Sequence, residues 1–273
     1  MAYRNFLLAF SGESAFKSSL DHAIRMTLHH DGWLTAVVRN GRPFFDRYSM
    51  ALTEELREQL RQAEVTNIQH AVDQFRKATE AAGLADRAQF LMPDDIGGAL
   101  PSEVARYHDL VITGFQSDLP SEEHRAASPD LIALRSGRPV LVVPNSYDAS
   151  ELADHALLAW DGKRSAARAL GDAMSILETK PRVTVLTVGS QPETHAIKGL
   201  MRHLDRHGVA ADHAHKPGKG KRIATQIEDT ADEVGAKVVI MGAYEHSKFA
   251  QDIFGGVTHE VLKTTRVPVF MSH

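Results

Sequence analysis

The sequence lacks cysteine altogether, and this absence excludes disulfide bonds, thiolate metal sites and cysteine nucleophiles. It also lacks any run of about 18 consecutive apolar residues, so we predict no membrane span. The first ten residues hold one arginine and a very short apolar run without a small-residue cleavage site, and we interpret them as a strand rather than a signal peptide. Together these absences predict a cytoplasmic protein.

The chain has no excess of positive charge. It carries 31 Lys and Arg against 35 Asp and Glu, a formal net charge of -4, so we predict no nucleic-acid partner. Its 43% hydrophobic and 24% charged residues are typical of a globular protein. A length of 273 residues suits two domains, at roughly 150 residues per domain.

The sequence contains an internal repeat. Three apolar strings recur in the same order in both halves: residues 7–12 and 157–162, residues 109–114 and 237–242, and residues 138–142 and 267–271. This order predicts two copies of one fold, with domains at 1–147 and 154–273. The short linker between them predicts that the two copies pack closely together.

Short apolar runs alternate with helical patterns in each half. The predicted strands lie near residues 6–10, 33–38, 86–91, 109–113 and 139–143, and then near 156–160, 183–188, 209–215, 237–241 and 267–271. Continuous apolar strands separated by helices are typical of a parallel sheet that is covered on both faces. The predicted fold class is therefore α/β, with two doubly wound, flavodoxin/Rossmann-like domains in tandem.

Two helical patterns carry specific predictions. A long, charged helix is predicted from about Met50 to Ala82, either as a solvated cover for one sheet face or as a docking surface for a partner. A stripe at steps of four residues, Phe249, Ile253, Val257 and Val261, predicts a second helix.

Ligands of open parallel sheets bind beyond the carboxyl ends of the strands. In the second half, Asp161 follows the first strand, Val188 ends the second, and Gly242 ends the fourth. The last loop leads to Gly255-Gly256-Val257-Thr258, where glycine amides, a helix start and a hydroxyl group suit a phosphate. The alternative is that these glycines serve only tight turns.

At these residues the chain resembles the universal stress protein family in its tandem form, over essentially its whole length. The resemblance rests on residues 159–162, 239–244, 255–258 and 266–269. In the nucleotide-binding branch of that family, the fourth strand is followed by Gly, two residues, Gly, nine residues, and then Gly with Ser or Thr. Here Gly242 and Gly255 keep the first and third places, whereas Glu245 and Gly256 replace the second glycine and the hydroxyl residue.

The resemblance implies that the second half binds an adenine nucleotide of the ATP class. It implies that Asp161 approaches the nucleoside and that Val188 packs near adenine. The implied phosphate cradle consists of Gly242, Gly255, Gly256, Val257 and Thr258.

The first half diverges at the corresponding positions. Ser11 stands where Asp161 stands, and no glycine follows Gly114 until Gly137. Two carboxylates, at positions 122 and 123, occupy the region where phosphate would lie. We therefore predict that this half is a structural or regulatory copy.

Two further patterns contain residue types that can bind a metal ion or a phosphate group. His203 and His207 lie four residues apart on a predicted helix, and His213 and His215 share one face of a predicted strand. These four imidazoles suit zinc or nickel if they meet, but no carboxylate or thiolate has diagnostic spacing, and we predict no metal. The basic loop 216–222 lacks the spacing of a Walker loop and is interpreted as a solvated turn or a phosphate contact.

The predicted function is stress-response sensing or regulation through a bound nucleotide, not enzymatic catalysis, with slow ATP hydrolysis left open. The alternative is an interaction or scaffold module that acts through protein contacts without nucleotide. Pro139 and Pro268 each open a strand, so we predict that these strands pair across a pseudo-twofold axis. A homodimer of chains is a further possibility.

Overall fold

The computed structural model describes residues 3–38, 53–115, 127–145, 147–148, 154–218, 221–243 and 256–273. The first half runs in the order β1 (Asn5–Ala9), α1 (Glu13–His29), β2 (Trp33–Val37), α2 (Glu54–Ala81), β3 (Ala88–Leu91), α3 (Pro101–Val104), β4 (Leu110–Gly114), α4 (Pro129–Ser136), β5 (Val140–Val143). The second half runs in the order β6 (His155–Ala159), α5 (Arg164–Leu177), β7 (Arg182–Val188), α6 (Thr194–Arg206), β8 (Ala211–Lys216), α7 (Ile223–Val234), β9 (Val238–Gly242), α8 (Val257–Thr264), β10 (Val269–Ser272).

The described strands form one ten-stranded sheet, in the order β3-β2-β1-β4-β5-β10-β9-β6-β7-β8. Each half contributes the same doubly wound arrangement of five parallel strands, so the predicted fold class is confirmed. The halves meet at β5 and β10, which pair antiparallel with Val142 opposite Val269 and Val140 opposite Met271. This is the contact predicted from the two prolines that precede these strands.

The sheet separates two apolar cores because neighbouring side chains of a strand point to opposite faces. Phe6 and Leu8 of β1 enter one core, whereas Leu7 and Ala9 enter the other. Helices α1, α2, α5 and α6 cover the first face, and α3, α4, α7 and α8 cover the second. Burial on both faces accounts for the continuous apolar runs.

The long helix α2 packs on the fold mainly through its second part. Thr53 caps it by accepting a hydrogen bond from the backbone N–H of Leu56, at 3.3 Å. Ala71 and Phe75 are buried, whereas most described side chains between residues 54 and 67 are exposed. The predicted start, residues 50–52, lies outside the described residues.

One boundary differs from the sequence-based expectation, and one predicted helix can be compared with the structure only in part. Strand β8 begins at Ala211 rather than Val209, because Val209 donates its N–H to Leu204 and so belongs to the turn that ends α6. Of the helical stripe, Val257 and Val261 lie in α8, whereas Phe249 and Ile253 lie outside the described residues. None of the described helices combines the length and apolarity needed to cross a membrane.

Candidate functional site

The candidate site lies at the point in the second half where the crossover connections diverge. Strands β6 and β9 are neighbours, with Leu158 opposite Ile240. The chain continues from β6 to β7 on one side, and from β9 to β10 on the other. Divergent connections leave a crevice beyond the carboxyl ends of the two central strands, where ligands of such sheets bind.

Asp161 lies directly beyond β6 and is exposed to solvent. Its Oδ1 accepts a hydrogen bond from the backbone N–H of Lys163 at 3.0 Å, and Gly162 has the left-handed φ of 77°. This tight turn leads into α5. The backbone N–H of the preceding Trp160 donates a hydrogen bond to the carbonyl of Leu186 at 2.8 Å, and its half-buried indole packs against the core. Asp161 is therefore held at the rim of the crevice on an anchored turn.

Gly242 ends β9 and is required by close packing. A β-carbon at this position would lie 2.5 Å from the backbone nitrogen of Ala166 and 2.6 Å from the carbonyl carbon of Ser165. These atoms belong to the first turn of α5, so the glycine lets that helix start approach the end of β9. Gly242 therefore shapes the crevice whether or not a ligand occupies it.

Helix α8 begins with a glycine that supplies no side-chain cap. Gly256 is the N-cap, with φ 139°, and as a glycine it has no side chain that could accept a hydrogen bond from the first-turn amides. Thr258 is buried in that turn, and Val257 is half-buried. A helix start of this kind presents backbone N–H groups and partial positive charge to an anion. Gly255 and Glu245 lie outside the described residues.

Val188 completes the row of strand ends along this edge. It is the last residue of β7, which pairs with β6, and its half-buried side chain packs on the face that α7 and α8 cover. From β9 through β6 to β7 the sheet spans two strand spacings, or about 10 Å. The structure thus brings Gly242, Asp161 and Val188 to one edge over a distance that suits a nucleoside.

Residues 153–273 match the model of the Universal stress protein family. The second half of this chain is a universal stress protein domain. No curated protein matches the chain.

Solved structures extend the likeness of fold to both halves. A universal stress protein from Archaeoglobus fulgidus is 18% identical, with 98% of this chain and 96% of that chain covered, at a TM-score of 0.70. A putative universal stress protein from Pseudomonas aeruginosa is 15% identical, with 99% and 93% covered, at a TM-score of 0.54. At these identities the comparison establishes the fold alone.

The universal stress protein domain carries two cations that sequence reasoning missed. Lys163 is the N-cap of α5 and Arg164 its first residue, and both side chains are exposed beside Asp161. The first turn of α5 contains no acidic residue. The signal was present in the sequence as two basic residues directly after the strand-ending Asp-Gly. Positive charge at this position favours an anionic ligand in the crevice.

In the first half, described protein groups form hydrogen bonds with each other beyond the ends of the first and fourth strands. Ser11 is fully buried, and its Oγ accepts a hydrogen bond from the backbone N–H of Gly114 at 2.9 Å. The carbonyl of Phe10 accepts the N–H of Ala127 at 2.7 Å. Ser128, which sequence reasoning also missed, caps α4 where the second domain has Gly256. That the first half is a structural or regulatory copy stays a prediction.

The structure does not gather the histidines of the universal stress protein domain into one group. The ring nitrogens of His213 and His215 each lie 3.0 Å from Oγ1 of Thr187, whereas His207 pairs with Glu178 at 3.0 Å. Burial and the neighbouring His215 lower the pKa of His213. Across the described ranges, no three His, Asp or Glu side chains lie together in a way that could hold a metal ion.

The described cations of the basic loop that precedes α7 pair with nearby carboxylates. Lys216 pairs with Glu233 at 2.7 Å, and Lys221 pairs with Asp229 at 2.6 Å. Arg222 pairs with Glu260 of α8 at 3.0 Å. These contacts favour the interpretation of the loop as a solvated turn over a phosphate contact.

Proposed function

We propose that this protein is a stress-response regulator that binds an adenine nucleotide of the ATP class in its universal stress protein domain. The observation that carries the proposal is the set of groups that the structure brings together beyond the ends of β6 and β9. Asp161 is exposed beyond β6, Lys163 and Arg164 follow it, and the N-cap of α8 is Gly256, which has no side chain to cap the helix. In the first half a buried serine occupies the corresponding place.

The proposed roles follow from position along the edge. Asp161 accepts hydrogen bonds from the ribose or the base edge, and Val188 packs against adenine. The phosphates lie against the start of α8, where backbone N–H groups stabilise negative charge. The proposed phosphate cradle consists of Gly242, Gly255, Gly256, Val257 and Thr258.

We propose binding rather than turnover as the function. Hydrolysis of a phosphoanhydride requires a positioned nucleophilic water and, in most enzymes, a metal held by carboxylates. In the described part of the crevice, Asp161 is the nearby carboxylate, and it already accepts a backbone hydrogen bond. A nucleotide that is bound but not consumed suits a sensor whose occupancy follows cellular nucleotide levels.

We further propose that residues 1–147 and 154–273 act as two domains with divided tasks. The second binds nucleotide, and the first supports it through the antiparallel pair β5–β10. Both halves keep the glycine, Gly114 or Gly242, that lets a helix start approach the fourth strand. The shared architecture is thus maintained although the two crevices differ.

Tryptophan fluorescence provides a direct test. The chain has two tryptophans, so Trp33→Phe leaves Trp160, adjacent to Asp161, as the sole reporter. We expect ATP to change this fluorescence saturably and to raise the melting temperature. Asp161→Ala should weaken binding about tenfold, as expected for the loss of one charge-assisted hydrogen bond. Asp86→Ala, an exposed carboxylate of the first half, is the matched control.

A negative result points to the second candidate function, an interaction module without nucleotide. If millimolar ATP changes neither the fluorescence nor the melting temperature, and mass spectrometry finds no nucleotide released on denaturation, the nucleotide proposal is wrong. The observation that favours the alternative is the exposed part of α2, where Leu56 and Val65 are 41% and 60% exposed. An exposed stretch of helix is a surface that a partner protein can bind in a groove.

A further inference from the structure

The antiparallel pair at the centre of the sheet places the two halves head to tail. Val140 at the start of β5 lies opposite Met271, and Ser272 lies opposite Gly242 at the end of β9. The amino ends of β4 and β5 therefore share an edge with the candidate crevice of the second half. From β5 to β9 the separation is two strand spacings, or about 10 Å.

Three arginines of the first half gather at this shared edge; we call Arg106, Arg135 and Arg138 the arginine cluster. Arg138 donates from Nη2 to the carbonyl of Arg106 at 3.0 Å, and Arg106 donates from Nη2 to the carbonyl of Arg135 at 3.4 Å. A guanidinium has five N–H donors, so each of these groups retains most of its capacity. These contacts hold the guanidinium groups of Arg106 and Arg138 against the backbone of the cluster, and Arg135 is exposed at the same edge.

The arginine cluster has no carboxylate partner among the described residues. None of the three arginines takes part in the salt bridges found among the described residues. Asp109, at the same edge, accepts hydrogen bonds from the backbone N–H groups of Arg4 and Asn5, both at 2.9 Å. Clustered arginines without counter-charge are suited to an external anion, above all phosphate, which guanidinium groups bind in a forked geometry.

The helices place the arginine cluster on the same face as the proposed phosphate cradle. Helices α4 and α8 both pack against the core on the second face of the sheet. Helix α4 ends at the shared edge, with Arg135 in its last turn, whereas α8 begins there at Gly256. A nucleotide whose phosphates lie at the start of α8 would thus extend toward the arginines of the other half.

We infer that the arginine cluster binds the distal phosphates of the nucleotide held by the second half. The inference rests on the proposed function and specifies it, because it makes ATP the preferred ligand over adenosine. The first half then contributes to the site although Ser11 stands where the second half has Asp161.

Binding measurements on the full chain test the inference. We expect wild-type protein to bind ATP more tightly than adenosine. The variant Arg135→Gln/Arg138→Gln should bind ATP about tenfold more weakly or worse, with adenosine affinity unchanged. The matched control is Lys263→Gln/Arg266→Gln, two basic residues of the second half with the same spacing of three, which lie toward the opposite edge at the end of α8. The control should retain the preference for ATP.

Each outcome decides a separate point. Equal ATP affinity in the cluster variant and the wild type overturns the inference but leaves the proposed function intact. If the wild type binds neither ATP nor adenosine, the proposed function fails, and a titration with tripolyphosphate decides the cluster. If the wild type binds tripolyphosphate and Arg135→Gln/Arg138→Gln does not, the arginine cluster is an anion site. If the wild type does not bind tripolyphosphate, the anion site is overturned as well. Should the double variant unfold, Arg135→Gln alone replaces it, because Arg135 is exposed.

Discussion

The two halves of the sheet have the same topology but differ in the side chains that lie beyond their first and fourth strands. In the first half, Ser11 is buried and satisfies the N–H of Gly114. In the second half, Asp161 stays exposed and turns back to the N–H of Lys163. A short hydroxyl side chain fits inside a closed crevice, whereas a carboxylate needs water, a cation or a ligand.

This comparison separates features of the fold from features of the site. Gly114 and Gly242 are both required by a helix start that packs against the fourth strand, so their presence in both halves reflects architecture. Beyond the first strand, by contrast, the halves differ, because buried Ser11 stands where exposed Asp161 stands. A duplicated fold can keep its topology while the loops at its strand ends diverge, because function depends on the site rather than on the fold.

The largest effect should come from filling the space at the end of the fourth strand. We expect Gly242→Ala to destabilise the protein by about 3 kcal/mol, because the added β-carbon would lie 2.5 Å from backbone of α5, which cannot move aside by rotating a side chain. In Gly114→Ala the nearest atoms are the side chains of Ala15 and Ser11, at 2.3 and 2.5 Å. Urea denaturation of both variants measures the difference.

The control for this pair is Gly171→Ala, in an exposed helical position where a β-carbon meets nothing within 4 Å. It should stabilise the protein slightly, since alanine favours the helix. A Gly242→Ala variant as stable as the wild type would show that α5 does not pack as closely on β9 as described.

The next prediction concerns the loss of stability at low pH, which depends on a buried histidine of α1 that α5 lacks. His22 is buried on α1, where the repeat places Asp172 on α5. Burial, with Lys180 and Arg25 nearby, lowers the pKa of His22 to about 4. The unfolded histidine titrates near 6.5, so stability is retained above that pH and is lost as the pH falls toward 4, by about 3 kcal/mol in all.

Urea denaturation at pH 7 and pH 5 checks this expectation. The loss at pH 5 should be about 2 kcal/mol for His22, and His22→Gln should remove that part. His30, whose pKa is also lowered to about 4 by burial, keeps the variant partly sensitive to acid. His195→Gln, an exposed histidine, is the control. Equal acid sensitivity in His22→Gln and the wild type would contradict the prediction.

A smaller effect compares the two crevices directly. Ser11→Ala leaves the buried N–H of Gly114 without a partner and should cost about 2 kcal/mol. Asp161→Ala removes one exposed contact and should cost about 0.5 kcal/mol. The difference in the free energy of unfolding measures how far the first crevice depends on its own side chains. Similar costs would mean that the two crevices are equally open or equally closed.

Much of the fold could be predicted because strand burial and helix periodicity leave direct marks on the sequence. The apolar runs around Leu7 and Leu157 identified the first strand of each half, and Pro139 and Pro268 marked the strands that join the halves. The site was less accessible, because its geometry depends on contacts between distant segments. The bond between Ser11 and Gly114 spans 103 residues, and no local pattern reports it.

The missed cations illustrate the same limit in another way. Lys163 and Arg164 were visible as residues, but their meaning depends on which edge of the sheet they occupy and on what faces them. The arginine cluster was harder still, since Arg106 and Arg138 meet only through the pairing of strands and helices. Charges gain significance from three-dimensional proximity, which composition and spacing do not record.

The smallest effect concerns the helix start of the first half that corresponds to the proposed phosphate cradle. Ser128→Ala removes the side chain that caps α4 through the N–H of Leu131, at 3.5 Å. We expect a loss of about 0.5–1 kcal/mol, at the lower end for a cap because the bond is long. Ser190→Ala, an exposed serine beyond β7, should change the unfolding free energy by less than this. A neutral Ser128→Ala would mean that both helix starts are open to solvent, so that the difference between the halves rests on Ser11 and Asp161 alone.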